Sequence, residues 1–169
     1  MYGDVTLVEP LEEAERASLE TLVVAVDTSG SCIGELPNFL RETRALLDQL
    51  TETMEVKRVW YLECDTEIQN EVIYEGDGIR YALTEEHTYD GGGGTDFRPV
   101  FERVAEYEGQ GGSVAGLLYY SDGQGAFPVE APDYPCYFIL PHSDFDGFYG
   151  DIGNDGLPEW VQQKICDRG

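Results

Sequence analysis

The chain has 169 residues, 41% of them hydrophobic, which is enough to bury one core and too few to suggest two domains. Its 34 acidic and 10 basic residues give a formal net charge of −24, which repels nucleic acid and anionic membranes. No run approaches the roughly 20 apolar residues that cross a bilayer, and the first residues lack the basic start of a secretion signal. We therefore expect one cytoplasmic domain without nucleic-acid or membrane partners, although solubility or adaptation to high salt would also explain the acidity.

The polar, acidic start of the chain is followed by a strongly apolar segment. We assign residues 1–20 to an acidic leader, in which 11–20 favour a short helix, and residues 21–169 to the domain itself. Thr21–Asp27 is a continuous apolar run, which is typical of a central strand covered on both faces.

An amphipathic helix and a second strand are predicted next. Leucine and phenylalanine recur at three- and four-residue spacing from Leu36 to Leu50, and Pro37 suits the first turn of such a helix. The apolar run Val56–Cys64 is the second strand. A strand, a helix and a strand in this order predict a right-handed crossover between two parallel strands, and hence an α/β sheet.

The rest of the chain predicts a hairpin, a second helix, two more buried strands and a last short helix. Residues 67–74 and 79–83, separated by the turn 75–78, favour two short strands or a hairpin at a sheet edge. The second helix places Phe97, Val100, Phe101, Val104 and Tyr107 on one face. The two strands are 114–120 and 136–141, and the last helix covers 157–166, with Trp160, Val161 and Ile165 facing inward.

The four cysteines are widely separated along the chain, and none forms a CxxC pair of the kind used in zinc or redox sites. Two of them border apolar runs, as small hydrophobic residues would. We therefore expect reduced and mostly buried thiols at Cys32, Cys64, Cys136 and Cys166.

Three polar turns follow or flank the predicted parallel strands. They are DTSGS (27–31) after the first strand, GGGGTD (91–96) ahead of the second helix, and SDG (121–123) after the third strand. An open α/β sheet binds ligands at the carboxyl ends of its strands, near the point where the winding direction reverses. We therefore expect the three turns to meet there.

Together these turns supply two carboxylates and three hydroxyls, and no histidine or cysteine is placed among them. An all-oxygen set selects a hard cation, and a site with few direct ligands suits Mg²⁺, with Mn²⁺ and Ca²⁺ as alternatives. Gly91–Gly94 would let the following backbone approach the ion without a Cβ in the way. The predicted metal site consists of Asp27, Ser29, Ser31, Thr95 and Asp122.

Each turn also has an ordinary structural explanation when it is taken alone. Asp or Ser after a strand often caps the next helix, and Asp-Gly is a common turn pair. A phosphate-binding loop is disfavoured because the lysine of a Walker motif is missing. Asp96 is expected to accept backbone N–H bonds or to orient a ligand from outside the coordination shell. Asp65, directly after the second strand, is assigned to a turn or to the surface, and a contribution to the acidic rim of the site is the alternative.

The motifs DTSGS, GGGGTD and YSDG, in this order, resemble the three parts of the metal-ion-dependent adhesion site of the von Willebrand factor A (VWA) family. The resemblance implies a three-layer, doubly wound α/β fold with a mostly parallel sheet, helices on both faces and one short antiparallel edge strand. It also implies that Ser29, Ser31 and Thr95 hold the metal directly. Asp27 and Asp122 would act through water, and a partner's carboxylate or water would fill the sixth position.

Within that family, the runs YLECDTEIQ and GGGGTDFRPVF are similar to a bacterial and archaeal VWA-like group described as related to predicted metallopeptidases. Members of this group typically carry an additional amino-terminal region and occur alongside AAA-type ATPases. The present sequence does not contain that region, and its acidic segment 143–156 departs from the usual ending.

We therefore predict a metal-dependent protein-binding module, in which an Asp or Glu of a partner protein completes the coordination of the ion. An AAA-type ATPase is the partner that the resemblance implies. The alternative is a magnesium-dependent hydrolase or the non-catalytic part of a metallopeptidase-like protein. Hydrolysis would need a nucleophile or base beside the metal, and neither His87 nor His142 belongs to an HExxH pair. A structural role with a degenerate, empty site is the third interpretation.

Overall fold

The structure is a computed structural model, and it describes residues 18–81, 91–140 and 157–165. These residues form strands, two α-helices and two short 3-10 helices. In chain order they are β1 (Ser18–Asp27), a 3-10 helix (Ile33–Glu35), α1 (Leu36–Thr53), β2 (Glu55–Cys64), β3 (Ile68–Glu75), a 3-10 helix (Gly76–Tyr81), α2 (Arg98–Gly109), β4 (Gly116–Tyr120), β5 (Cys136–Leu140) and β6 (Val161–Ile165).

The described strands form one six-stranded sheet in the order β3-β2-β1-β4-β5-β6. Every neighbouring pair is parallel except β2 and β3, which are antiparallel, so β3 is an antiparallel edge strand. The predicted α/β class, the mostly parallel sheet and the antiparallel edge strand are therefore confirmed.

The side chains of β1 alternate between two hydrophobic cores, one on each face of the sheet. Leu22, Val24 and Val26 pack in the core that contains the apolar side of α1, whereas Val23 and Ala25 pack in the core that contains the apolar side of α2. All five are at most 5% exposed, which confirms that β1 is a central strand. The sheet thus lies between two helical layers, as predicted.

Both helices follow the predicted amphipathic pattern. The buried side chains of α1 are Leu36, Phe39, Thr43 and Leu47, and those of α2 are Val100, Phe101 and Val104. Helix α1 ends where Met54 turns to an extended conformation and donates its N–H to the carbonyl of Leu50. In the part of the chain described, neither helix is both long and apolar enough to cross a membrane.

The winding direction of the sheet reverses between β1 and β4. From β1 the chain passes through α1 to β2 on one side, and later through α2 to β4 on the other side. The loops that follow these two adjacent parallel strands therefore leave in opposite directions. This opens a crevice at their carboxyl ends, which is the usual ligand site of an open α/β sheet.

The prediction of two short strands or a hairpin over 67–74 and 79–83 is wrong in its second half. The first half is β3, but it pairs with β2, and Gly76–Tyr81 forms a 3-10 helix. The side chain of Ile79 is 4% exposed and joins the core on the α1 side. This segment is therefore held by the burial of Ile79, whereas the prediction expected it to pair as a strand. Residues 82–83 lie outside the described residues.

The predicted last helix over 157–166 is also wrong, because Val161–Ile165 is a strand. It pairs in parallel with β5 and extends the sheet by one strand. Val161 is buried and Trp160 packs against the α2-side core, so their inward orientation is confirmed although the secondary structure differs. Five residues are too few to distinguish the apolar spacing of a helix from that of a strand. The edge of β5 offers backbone hydrogen-bond partners to a strand, and a helix would not use them.

The first strand begins three residues earlier than predicted. Strand β1 begins at Ser18, so the last three residues assigned to the acidic leader 1–20 belong to the sheet. The remainder of that segment, including most of the short helix expected over 11–20, lies outside the described residues.

Truncation of Phe138 should be far more costly than truncation of its neighbour Tyr137. Phe138 is fully buried and packs against the rings of Phe97, Tyr119 and Phe127, whereas Tyr137 on the other face is 37% exposed. We expect Phe138→Ala to lower the free energy of unfolding by about 3–5 kcal/mol, and Tyr137→Ala by about 1 kcal/mol or less. Urea unfolding measures both, and equal losses would contradict the alternation of β5.

Candidate metal site

The two predicted carboxylates meet at the carboxyl ends of β1 and β4. Asp27 is the last residue of β1, and Asp122 lies two residues after β4, whose Tyr120 pairs with Val26. Both side chains are almost fully buried, at 0% and 1% exposure. One oxygen of each carboxylate and the sulfur of Cys32 lie within 4.8 Å of one another. The parallel pairing of β1 with β4 therefore brings two acids from distant parts of the sequence together.

Hydrogen bonds fix the carboxylate of Asp27. Its Oδ1 accepts the backbone N–H of Ser29 at 2.8 Å, and its Oδ2 accepts a short hydrogen bond from the hydroxyl of Ser121. Burial raises the pKa of Asp27, the bonds from Ser121 and Ser29 oppose that shift, and the negative charge of Asp122 adds to it. Ser121 was not predicted as part of the site, and it orients Asp27 from the neighbouring strand end.

The carboxylate of Asp122 is only half satisfied. Its Oδ1 accepts the backbone N–H of Gln124 at 2.9 Å, but its Oδ2 is buried and has no hydrogen-bond partner. Leaving a buried acceptor unpaired typically costs about 1–3 kcal/mol, and more when the group is charged. A cation or a metal-bound water at this oxygen would remove that cost.

The hydroxyls of Ser29 and Ser31 lie side by side, with their Oγ atoms 3.2 Å apart. Ser29 is 1% exposed, whereas Ser31 is exposed to solvent. This pair therefore runs from the buried carboxylates toward the surface. The prediction that alternate residues of the DTSGS turn lie on one side is confirmed for these two.

The segment 91–96, called here the glycine loop, lies directly against the DTSGS turn. The N–H of Gly92 donates to the carbonyl of Thr28 at 2.7 Å, and the N–H of Gly30 donates to the carbonyl of Gly93 at 3.0 Å. Gly91 and Gly92 have φ angles of 146° and 99°, which side chains disfavour. A Cβ on Gly91 would overlap the hydroxyl of Thr28. The glycines thus permit close approach, as expected, although what they approach most closely is the backbone of the first turn.

The same loop is attached to the turn that follows β4. The N–H of Phe97 donates to the carbonyl of Ala126 at 3.0 Å, and Asp96 forms an isolated β-bridge with the same residue. The methyl group of the half-buried Thr95 faces Gly125, where a Cβ would lie only 2.8 Å from it. Thr95 therefore sits on a loop that backbone hydrogen bonds join to the DTSGS turn and to Ala126, three residues after the predicted turn 121–123.

The carboxylate of Asp96 is directed to the start of α2. It accepts the backbone N–H of Arg98 at 3.0 Å, as predicted for a backbone acceptor, and both of its oxygens also bind the guanidinium. The hydrogen bond and charge of Arg98 lower the pKa of Asp96. This ion pair was not predicted, and it ties the loop that carries Thr95 to the first turn of α2.

Asp65 takes a larger part in this region than the sequence indicated. It is only 6% exposed, and its Oδ2 accepts the backbone N–H of Gly93 at 3.1 Å. The turn role was correct, because its Oδ1 accepts the N–H of Glu67, two residues on. The contact with the glycine loop could not be found locally, because the two residues are 28 positions apart.

Cys32 is a second residue whose place at the site was not predicted. Its thiol is fully buried beside the two carboxylates. Burial raises the pKa of Cys32, and the negative charges of Asp27 and Asp122 raise it further, so the thiol is neutral at physiological pH. Cys32, Cys64 and Cys136 are unpaired and buried, as expected, whereas Cys166 lies outside the described residues.

Comparison with known proteins gives a family and a fold. Residues 22–152 match the VWA-like domain family (DUF2201), so the chain belongs to that family. The sequence matches none of the curated proteins with which it was compared. Among solved structures, it is similar to the VWA domain of SpRpn10, with a TM-score of 0.51 and 10% identity over 89% of this chain and 90% of the other.

Two further solved structures match less closely in shape. An aerotolerance-related membrane protein of Bacteroides fragilis, solved with multiple mutations to serines, has a TM-score of 0.49 and 14% identity over 71% of this chain and 66% of the other. An uncharacterized membrane-spanning protein of Vibrio fischeri has a TM-score of 0.38 and 11% identity over 89% and 92% of the two chains. The likeness to the SpRpn10 domain, at 10% identity, concerns the fold alone.

Replacement of Gly91 by alanine should disrupt the contact between the glycine loop and the first turn. The new Cβ would overlap Thr28 and the φ angle is unfavourable, so we expect Gly91→Ala to lower the free energy of unfolding by more than about 1 kcal/mol. Gly34→Ala is the matched control, because nothing lies within 4 Å of a Cβ there. Thermal unfolding of both variants tests the contact, and equal stability would contradict it.

Proposed function

We propose that this protein is a metal-dependent protein-binding module, in which a divalent cation presents one open coordination position to a carboxylate of a partner protein. Ser29, Ser31 and Thr95 would hold the ion directly, and Asp27 and Asp122 would act through water. The observation that carries the proposal is the buried, unpartnered Oδ2 of Asp122 beside a second buried carboxylate.

The need for positive charge follows from the burial of two acids at close range. Like charges a few ångströms apart in a partly desolvated site repel each other. Burial raises the pKa of Asp27, and the negative charge of Asp122 raises it further. The nearest described residues supply hydroxyls and a neutral thiol rather than a lysine or arginine, so a bound cation is the simplest compensation. Oxygen donors favour Mg²⁺, and Mn²⁺ and Ca²⁺ are alternatives.

The surroundings of Ser31 favour binding to another macromolecule. Ser31, Gly30 and Gly91–Gly94 are all exposed, so an ion at the serine pair would be reachable from solvent across a surface with few side chains. The ion would also reverse the field locally in a chain with a net charge of −24, which would otherwise repel an acidic partner. The VWA-like fold suits a protein-interaction module.

We favour binding over hydrolysis because the reactive side chain beside the acids is not activated. A nucleophilic cysteine needs a lowered pKa, whereas burial and the neighbouring carboxylates raise the pKa of Cys32. An AAA-type ATPase is the partner class that we propose from the resemblance of the sequence motifs, and free thiols agree with a cytoplasmic setting.

Titration calorimetry with Mg²⁺ and Mn²⁺ tests the metal site. We expect saturable binding of one ion by the wild type, and its loss in Asp27→Ala and Thr95→Ala, because each removes a charge or a direct ligand. Asp48→Ala is the matched control, since Asp48 is an exposed acid on α1 and should leave the affinity unchanged.

The control also separates site binding from diffuse attraction to an acidic protein. Diffuse attraction is screened at high ionic strength, whereas binding at a partly buried site is screened much less. Equal affinity in all four proteins would contradict the proposal. Metal-dependent hydrolysis of generic phosphate, ester or peptide substrates by the wild type, lost in Thr95→Ala, would instead favour the hydrolase.

An open coordination position should be detectable with Mn²⁺ as a probe. Exchangeable water on bound Mn²⁺ enhances the relaxation of solvent protons, so a ligand that displaces this water should lower the enhancement. We expect a short glutamate-containing peptide in excess to lower it, and the same peptide with glutamine to have no effect, because glutamine lacks the charge. Equal effects of the two peptides would argue against recognition of a carboxylate.

A further inference from the structure

Asp65 binds the loop that carries Thr95 at two points that bracket this threonine. Its side-chain Oδ2 accepts the N–H of Gly93 at 3.1 Å, and its backbone carbonyl accepts the N–H of Asp96 at 2.9 Å. Only Gly94 and Thr95 lie between these two attachment points. We infer that Asp65 is a positioning residue of the metal site: it sets the place of Thr95 relative to Ser29 and Ser31 without touching the ion. This inference rests on the proposed function.

Asp65 is itself held firmly enough to act as a fixed support. Its Oδ1 accepts the N–H of Glu67 at 3.1 Å and the side-chain amide of Gln69 at 3.0 Å, and its own N–H donates to the carbonyl of Glu67. Burial raises the pKa of Asp65, but hydrogen bonds from Gln69, Glu67, Gly93 and Thr66 outweigh it and lower the pKa below its ordinary value. The side chain is therefore an ionised acceptor at neutral pH.

The backbone of Gly93 links Asp65 to the DTSGS turn. On one side its N–H binds Asp65, and on the other its carbonyl accepts the N–H of Gly30, which lies between Ser29 and Ser31. The preceding residue Cys64 adds a parallel link, because its carbonyl accepts the N–H of Thr28 at 3.1 Å. The end of β2 thus fixes the position of the DTSGS turn relative to the loop that carries Thr95.

The side chain of Asp65 also explains why residue 93 is a glycine. A Cβ on Gly93 would lie 2.9 Å from Oδ2 of Asp65, closer than real Cβ contacts allow. Space taken by the carboxylate, rather than an unusual backbone angle, therefore excludes a side chain here. Asp65 and Gly93 are a complementary pair, so substitutions at the two positions should not have independent effects.

The first test compares Asp65→Asn with Glu67→Gln. Glu67 is an exposed acid two residues further on, and its side chain makes none of these contacts. Asparagine can keep one acceptor but presents an amide where a charged acceptor is needed. We expect the Mn²⁺ affinity of Asp65→Asn to fall about 10- to 100-fold, which is typical for loss of a group that orients a ligand. Glu67→Gln should bind Mn²⁺ as the wild type does.

Hydrogen exchange without metal distinguishes local positioning from general loss of stability. In Asp65→Asn the amides of 92–96 should exchange faster, while those of the central strand at 23–25 should exchange as in the wild type. A double-mutant cycle adds a second criterion. Gly93→Ala should weaken Mn²⁺ binding in the wild type but have a smaller effect in the Asp65→Ala background, where the carboxylate that a new Cβ would meet is gone.

The outcomes separate this inference from the proposal on which it rests. Unchanged Mn²⁺ affinity in Asp65→Asn, with saturable binding by the wild type, would overturn the positioning role and leave the metal site standing. Additive effects in the double-mutant cycle would also overturn it. Absence of saturable binding in the wild type would overturn the proposed function and the positioning role together.

Discussion

The rest of the site depends on the burial of two like-charged carboxylates at the ends of adjacent parallel strands. Two unit charges within 4.8 Å repel each other by on the order of 3 kcal/mol at an effective dielectric constant of about 20. Hydrogen bonds from Ser29 and Ser121 satisfy Asp27, but Asp122 keeps one buried oxygen without a partner. Such an arrangement is costly for a fold of marginal stability, and the divalent cation that we propose would compensate for it.

Backbone contacts, rather than side-chain packing, assemble the loops around these acids. The first turn and the glycine loop exchange hydrogen bonds through Thr28, Gly30, Gly92 and Gly93, and the loop continues to the turn after β4 through Ala126. A side chain would obstruct this approach at Gly91, where a Cβ would overlap Thr28, and at Gly93, where it would lie 2.9 Å from Oδ2 of Asp65. The run of glycines is thus a requirement of assembly, and it also leaves the surface above the site nearly bare of side chains.

Most of the architecture could be predicted from sequence because its signals are local. The apolar run of β1 and the helical spacing of α1 and α2 indicate which side chains are buried. The five residues of the proposed metal site stand at recognisable positions after strands or before a helix. The errors at Gly76–Tyr81 and Val161–Ile165 arose where short segments fit two periodicities and a tertiary partner decided between them. The contact between Asp65 and Gly93 was missed for a related reason, because the two residues are 28 positions apart and no local pattern near either one indicates the other.

The position of β3 at the rim of the sheet has a consequence for the behaviour of the protein at high concentration. An edge strand offers backbone groups to which a strand of another molecule can add, and this is a common route to aggregation. Between residues 67 and 75 the chain carries Glu67, Glu71 and Glu75 and no lysine or arginine. Glu71 and Glu75 pair with Arg103 and Arg58, so charged side chains line this edge, a pattern that natural sheets use to discourage the addition of a further strand.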